Sequence, residues 1–131
     1  MIRNGLRKAT GYAFATAVLS ASAIATGGTA QAADGSVDAK GKEYAGCPSG
    51  AVCIYPQGNW NGGKPEHIYY SYGGHDLYNE YGTHRVFNNQ HSGATVSACK
   101  GSGGSNCGKG MGPWKYRDVN LTPVNSIKLS R

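Results

Sequence analysis

Residues 47–62 read CPSGAVCIYPQGNWNG. Val52 and Ile54 alternate with Ala51, Cys53 and Tyr55, the period of a strand whose side chains point to opposite faces in turn. The run breaks at Gln57-Gly58-Asn59, turns aromatic again at Trp60 and reaches Gly62 two residues later. Two rings, Tyr55 and Trp60, bracket a turn that ends in a glycine able to take a backbone angle closed to other side chains. That pattern describes a strand folded over on itself, so the fold to expect is made of short strands and folded hairpins.

Working outward, the same period of two recurs. In EHIYYSY (66–72), Ile68, Tyr70 and Tyr72 share one face, and His67, Tyr69 and Ser71 the other. HRVFN (84–88), ATVSAC (94–99), PWKYRD (113–118) and NSIKLS (125–130) are further short strands. The last should turn Ile127 and Leu129 inward and Ser126, Lys128 and Ser130 outward. Glycine-rich breaks separate them: QGNWNGG (57–63), YGGHD (72–76), QHSG (90–93) and GSGGSNCGKGMG (101–112). No window carries a helical stripe, and DLYNEY (76–81) has room for one helical turn at most. Short strands at this density predict an all-β sandwich or barrel. There is also an echo between halves: THRVFNN (83–89) and VNSIKLS (124–130) each close a stretch that begins with a Gly-rich hairpin. Two halves of about 40 residues would pack face to face, because neither alone buries enough apolar surface to be stable.

The first 32 residues carry Arg3, Arg7 and Lys8, an apolar run from Tyr12 to Ala25, and Ala30-Gln31-Ala32. A charged head, a short apolar middle and a small-x-small exit predict a secretory signal peptide at 1–32 and a secreted, extracellular product. Residues 33–46 (ADGSVDAKGKEYAG) have little apolar content and are expected to form a flexible leader to one monomeric domain at 47–131. Three of the thirteen basic residues fall in the signal segment, leaving ten against seven acidic ones, a net charge of +3. Without a basic run this argues against nucleic acid and mildly favours acidic surfaces such as a microbial wall. No membrane partner is expected for the mature form.

All four cysteines lie beyond the signal segment, and export favours disulfides. Of three pairings, the spacing favours Cys47 with Cys53 and Cys99 with Cys107. Zinc ribbons want two to four residues between paired ligands, and these pairs have five and seven.

The pattern Tyr55–Trp60–Gly62 resembles the Greek-key signature of the βγ-crystallin superfamily, and Ser126 sits where that superfamily's motif ends in a serine before an aliphatic strand. Arg85 takes the serine's place in the first half. C-P-S-G-A-V-C-I-Y, Cys47 to Tyr55, is similar to the opening of the secreted actinobacterial peptidase inhibitors of the Streptomyces metalloproteinase inhibitor type. The resemblance covers about Cys47 to Leu129. It implies a βγ-crystallin-like sandwich of two Greek-key motifs, two short-range disulfides, and inhibition of extracellular metalloproteases or other proteases through the ring of the second disulfide. Carried over, the inhibitory loop is Cys99, Lys100, Gly101 and Ser102, within CKGSGGSNC (99–107), and Lys100 is the first side chain past the reactive bond. The residues themselves add two expectations. Gly101, Gly103 and Gly104 predict a ring that stays loose inside its staple, and Lys100 suits an acidic protease pocket.

βγ-Crystallin calcium sites use paired Asn/Asp and Ser/Thr-Ser. Here the matching windows begin at Glu80, with Arg85 in a ligand position, and at Leu121, with no carboxylate, so no calcium or other cofactor is expected. His67, His75, His84 and His91 lack metalloenzyme spacing, and no nucleophile elbow or paired-carboxylate motif occurs. The chain is therefore expected to bind rather than catalyse. Tyr69, Tyr70, Tyr72, Tyr78 and Tyr81 fall within 13 residues. Half should be core. The rest, Tyr78 and Tyr81 foremost, form a candidate aromatic surface for a cell-wall polysaccharide or a partner protein, and the second expectation for function is a cell-wall-binding or killer-toxin-like antimicrobial protein of the βγ-crystallin type.

Overall fold

The computed structural model describes residues 34–131; the signal-peptide reading falls on 1–32, outside them. Eight strands follow in chain order: β1 (Gly35–Ser36), β2 (Val52–Ile54), β3 (His67–Tyr69), β4 (Gly73–Asp76), β5 (Thr83–Asn88), β6 (Thr95–Cys99), β7 (Lys115–Asn120) and β8 (Ser126–Ser130). They form two antiparallel sheets, ordered β1-β7-β5-β2-β3 and β4-β8-β6. Each half lends a strand to the other: β4 leaves the first half to pair with β8, and β7 leaves the second to pair with β5. Both expected disulfides, Cys47–Cys53 and Cys99–Cys107, are present.

Alternation along β2 explains where the core sits. Val52 and Ile54 point into the main core with Leu77, Val86, Val96, Met111, Leu121, Ile127 and Leu129. Cys53 and Phe87 point the other way, into a second cluster with Ala39, Cys47, Ala51 and Tyr55. That outer cluster centres on Trp60. Its indole meets the rings of Tyr44, Tyr55 and Phe87 edge-on, each at 5.3 Å, and that of Tyr116 at 4.9 Å. The Tyr55 hydroxyl donates to the Ala45 carbonyl at 2.8 Å, and burial pushes its phenol up to about 12, so it stays a donor across physiological pH.

The 33–46 segment differs from the expected flexible leader. Residues 34–46 belong to the folded body: β1 pairs with β7, Ala39 is buried, and Val37 and Tyr44 pack into the Trp60 cluster. The few apolar side chains suffice because the outer face of β2 and β5 needs a cover. Asn89, fully buried, fastens it by donating to the carbonyls of Lys42 and Cys47, both at 2.9 Å. Two further differences matter. YGGHD, read as a break, contains strand β4. Ser126, expected outward, is fully buried.

The echo between halves reaches the backbone itself. Asn61–Gly63 and Ser102–Gly104 each make one 3₁₀ turn. Gly62 and Gly63 have φ of 63° and 80°, and Gly103 and Gly104 have 62° and 80°.

At the start of the leader, Arg117 donates to both Asp34 carboxylate oxygens, at 2.5 and 3.0 Å. This hydrogen bonding, with the guanidinium charge, holds the Asp34 carboxyl below its ordinary range. A depressed folded-state value means the contribution is present above the unfolded value, near 3.8, and is lost as pH falls through the folded one. In an acid titration followed by NMR, the amides of Gly35 to Val37 should therefore loosen before those of β5 and β8. Asp34→Asn should remove that pH-dependent step.

Candidate functional site

Strand β6 runs into the ring at Cys99, and the Cys99–Cys107 staple closes it. Inside, Lys100 N–H donates to Asn106 O and Gly101 N–H to Ser105 O, both at 3.0 Å, so the ring is a folded hairpin. Its tip is fastened from outside. Gly103 N–H donates to Asp76 Oδ1 at 2.6 Å. The Ser126 hydroxyl accepts from Gly104 N–H at 2.9 Å and donates to Gly101 O at 2.6 Å. Asn125 Nδ2 donates to Lys100 O at 2.6 Å, while its backbone N–H donates to Cys99 O at 2.9 Å.

These bonds overturn the expectation of a loose ring. The glycines are there for close approach. A Cβ on Gly74 of β4 would lie 2.2 Å from the Gly103 carbonyl carbon, so only glycine lets the turn settle on that strand. Positive φ at Gly103 and Gly104 fixes the same requirement from the ring's side. Of the four candidate loop residues, Lys100 and Ser102 are exposed, Gly101 is half-buried and Cys99 is buried. Lys100 stands at the rim of an open concavity of about 370 Å³ shared with Ala98, Asn106, Cys107, Gly108 and Val124.

The first half repeats the fastening with other chemistry. Arg85 on β5 donates to Gly58 O at 3.1 Å, as Ser126 on β8 does to Gly101 O. Its guanidinium also forks onto Asp118 at 2.8 and 3.0 Å, and lies 4.6 Å from the Trp60 ring centre and 4.2 Å from that of Tyr116. Tyr55, Trp60 and Gly62 thus occupy the folded hairpin, and Ser126 the second half's clasp.

The tyrosines follow the alternation along 67–72, but fewer than the expected half are core. Tyr69 is half-buried against the main core. Tyr70, Tyr72, Tyr78 and Tyr81 are exposed, at 61, 48, 75 and 69%, as is Ile68 of β3. Loop 77–82 holds Tyr78 and Tyr81 outward on a fixed backbone. Leu77 is buried with its N–H on Asn125 O at 2.9 Å, and Gly82 N–H reaches Thr122 Oγ1 at 2.8 Å.

One group had no sequence signal: Glu66, His67, Glu80 and His84 meet although they sit on different strands and loops. His67 Nε2 lies 2.8 Å from Glu80 Oε2 and 3.3 Å from Glu66 Oε2. His84 Nδ1 lies 3.6 Å from Glu66 Oε1 and 3.5 Å from Glu80 Oε1. Burial, reinforced by neighbouring Glu80, raises the Glu66 carboxyl above its ordinary value. Within the two calcium-type windows, Glu80 faces His67 and Leu121 is buried in the core.

No family model, curated protein or solved structure matches the chain.

Gly74→Ala should destabilise the domain by about 1–3 kcal/mol, because backbone opposes the new methyl. Gly112, with ordinary φ and open space around it, provides the control: Gly112→Ala should stay within about 0.5 kcal/mol. Urea denaturation of the oxidised protein checks both.

Proposed function

We propose that the protein is a secreted peptidase inhibitor that offers the ring 99–107 to the cleft of an extracellular protease. Two disulfides, and the absence among the described residues of a helix long and apolar enough to cross a membrane, are compatible with secretion. We read the two strand-exchanging halves as Greek-key motifs of the βγ-crystallin type, each with a folded hairpin clasped from its last strand.

The observation that carries the reading is the fastening of the ring's carbonyls by Asn125 and Ser126 beneath an exposed Lys100. A binding loop gains affinity when its bound shape exists beforehand, since little entropy is lost on docking. A stapled loop also resists cleavage. If a protease opens the Cys99–Lys100 bond, the disulfide and the Asn125 and Ser126 hydrogen bonds keep the new ends together, and re-closure competes with release. Before that, the attack must draw Cys99 O away from Asn125 N–H. Lys100 leads into the cleft, and an acidic pocket is its complement.

Titrating trypsin, subtilisin and thermolysin with the oxidised protein should give stoichiometric loss of activity with one of them. Ser126→Ala, folded by circular dichroism, should weaken inhibition at least tenfold and speed cleavage in the ring. Undiminished activity of all three proteases, or inhibition that survives replacement of 100–106 by a short glycine turn, would contradict the reading.

The exposed tyrosines favour a second reading, binding to a cell-wall polysaccharide, because rings held outward on a fixed loop stack on sugar faces. It predicts co-sedimentation with chitin, glucan or peptidoglycan, weakened by Tyr78→Ala or Tyr81→Ala. Failure to sediment with any of the three removes it.

A further inference from the structure

We infer that Glu66, His67 and Glu80 form a binding site for a divalent transition-metal ion of the zinc type. One ligand atom from each, His67 Nε2 and a carboxylate oxygen from each glutamate, lies within 4.8 Å of the others. A tetrahedral ion with metal–ligand bonds of about 2.0–2.1 Å sets its ligands roughly 3.3 Å apart. The His67–Glu66 separation of 3.3 Å has that value, and the His67–Glu80 separation of 2.8 Å needs only a small opening.

Both glutamates turn Oε2 toward His67 and Oε1 toward His84. Each carboxylate can therefore give its Oε2 to a metal while its Oε1 lies 3.5–3.6 Å from His84 Nδ1. His84 is only 6% exposed, and both its ring nitrogens are engaged, by the carbonyls of Tyr55 at 2.9 Å and Tyr81 at 3.1 Å, so it does not itself ligate.

The ligands stand on firm backbone. Glu66 N–H donates to Ile54 O at 2.7 Å, and His67 is in register with Ile54. Glu80 sits in loop 77–82 with its side chain 8% exposed, while His67 at 40% and Glu66 at 28% leave the way in open. One imidazole and two carboxylates, with water as fourth ligand, suit zinc. Calcium would want six to eight oxygens, and this cluster does not supply them. All four cysteines are in disulfides, so no thiolate competes. Because β3 and loop 77–82 both contribute, a bound ion would tie the edge hairpin to the loop that carries Tyr78 and Tyr81.

The test is calorimetric titration of the oxidised protein with zinc chloride in a non-coordinating buffer near pH 7.5, with NMR of the histidine rings. One equivalent should bind, the ring signals of His67 should move while those of His91 stay, and Tm should rise by roughly 10 °C at a hundredfold excess over Kd. His67→Gln and Glu80→Gln should each weaken binding at least tenfold, and His91→Ala should leave it unchanged. The assignment is overturned if no heat is seen and the His67 signals stay put, if His67→Gln binds like the parent, or if His91→Ala abolishes binding.

Discussion

Backbone meets backbone at Gly74, where strand β4 from the first half lies under the turn Ser102–Gly104 from the second. Much of the second half follows from that contact. It makes GGHD a strand, since a side chain at Gly74 would push the turn away. It brings Asp76 within reach of Gly103 N–H, and it seals Ser126, whose hydroxyl then has to find both its partners in the ring. A buried hydroxyl without partners would cost about 1–3 kcal/mol; here it accepts from one ring residue and donates to another.

The two halves solve one problem with different residues. Each must fold a hairpin back over its own sheet and hold it there. The first uses mass: Trp60 among four rings, with the Arg85 guanidinium stacked on top and forked onto Asp118. The second uses small groups: glycines, a serine, an asparagine and a disulfide. The contrast has a functional side. A hairpin under a large aromatic cluster is committed to the core. A hairpin held by hydrogen bonds and a staple keeps its outer edge, with Lys100, Ser102 and Asn106, free for a partner.

Period-two alternation made β2, β5, β6, β7 and β8 legible, because each carries β-branched or aromatic residues against a buried face. β4 was not legible, since Gly73-Gly74-His75-Asp76 has no strand propensity and is a strand only because β8 and the ring need it. The leader misled for the opposite reason: its composition is that of a flexible segment, yet Val37, Ala39 and Tyr44 are spaced to cover an exposed aromatic face. Alternation likewise placed Ser126 outward correctly with respect to its own sheet, but could not say that the ring would cover it. The ring's stiffness depends on Asp76, Asn125 and Ser126, and the Glu66–His67–Glu80 group on the start of β3 meeting loop 77–82. Neither arrangement leaves a local pattern.

The ring 99–107 holds a fixed shape before it meets any partner. Amide hydrogen exchange of the oxidised protein measures this directly at Gly101, Gly103 and Gly104. Protection well above that of an unstructured peptide at all three amides is the expected result, since each donates to a named oxygen. Exchange at the free-peptide rate, while the amides of β6 and β8 remain protected, would mean a loose ring on a folded domain and would contradict a ring shaped in advance.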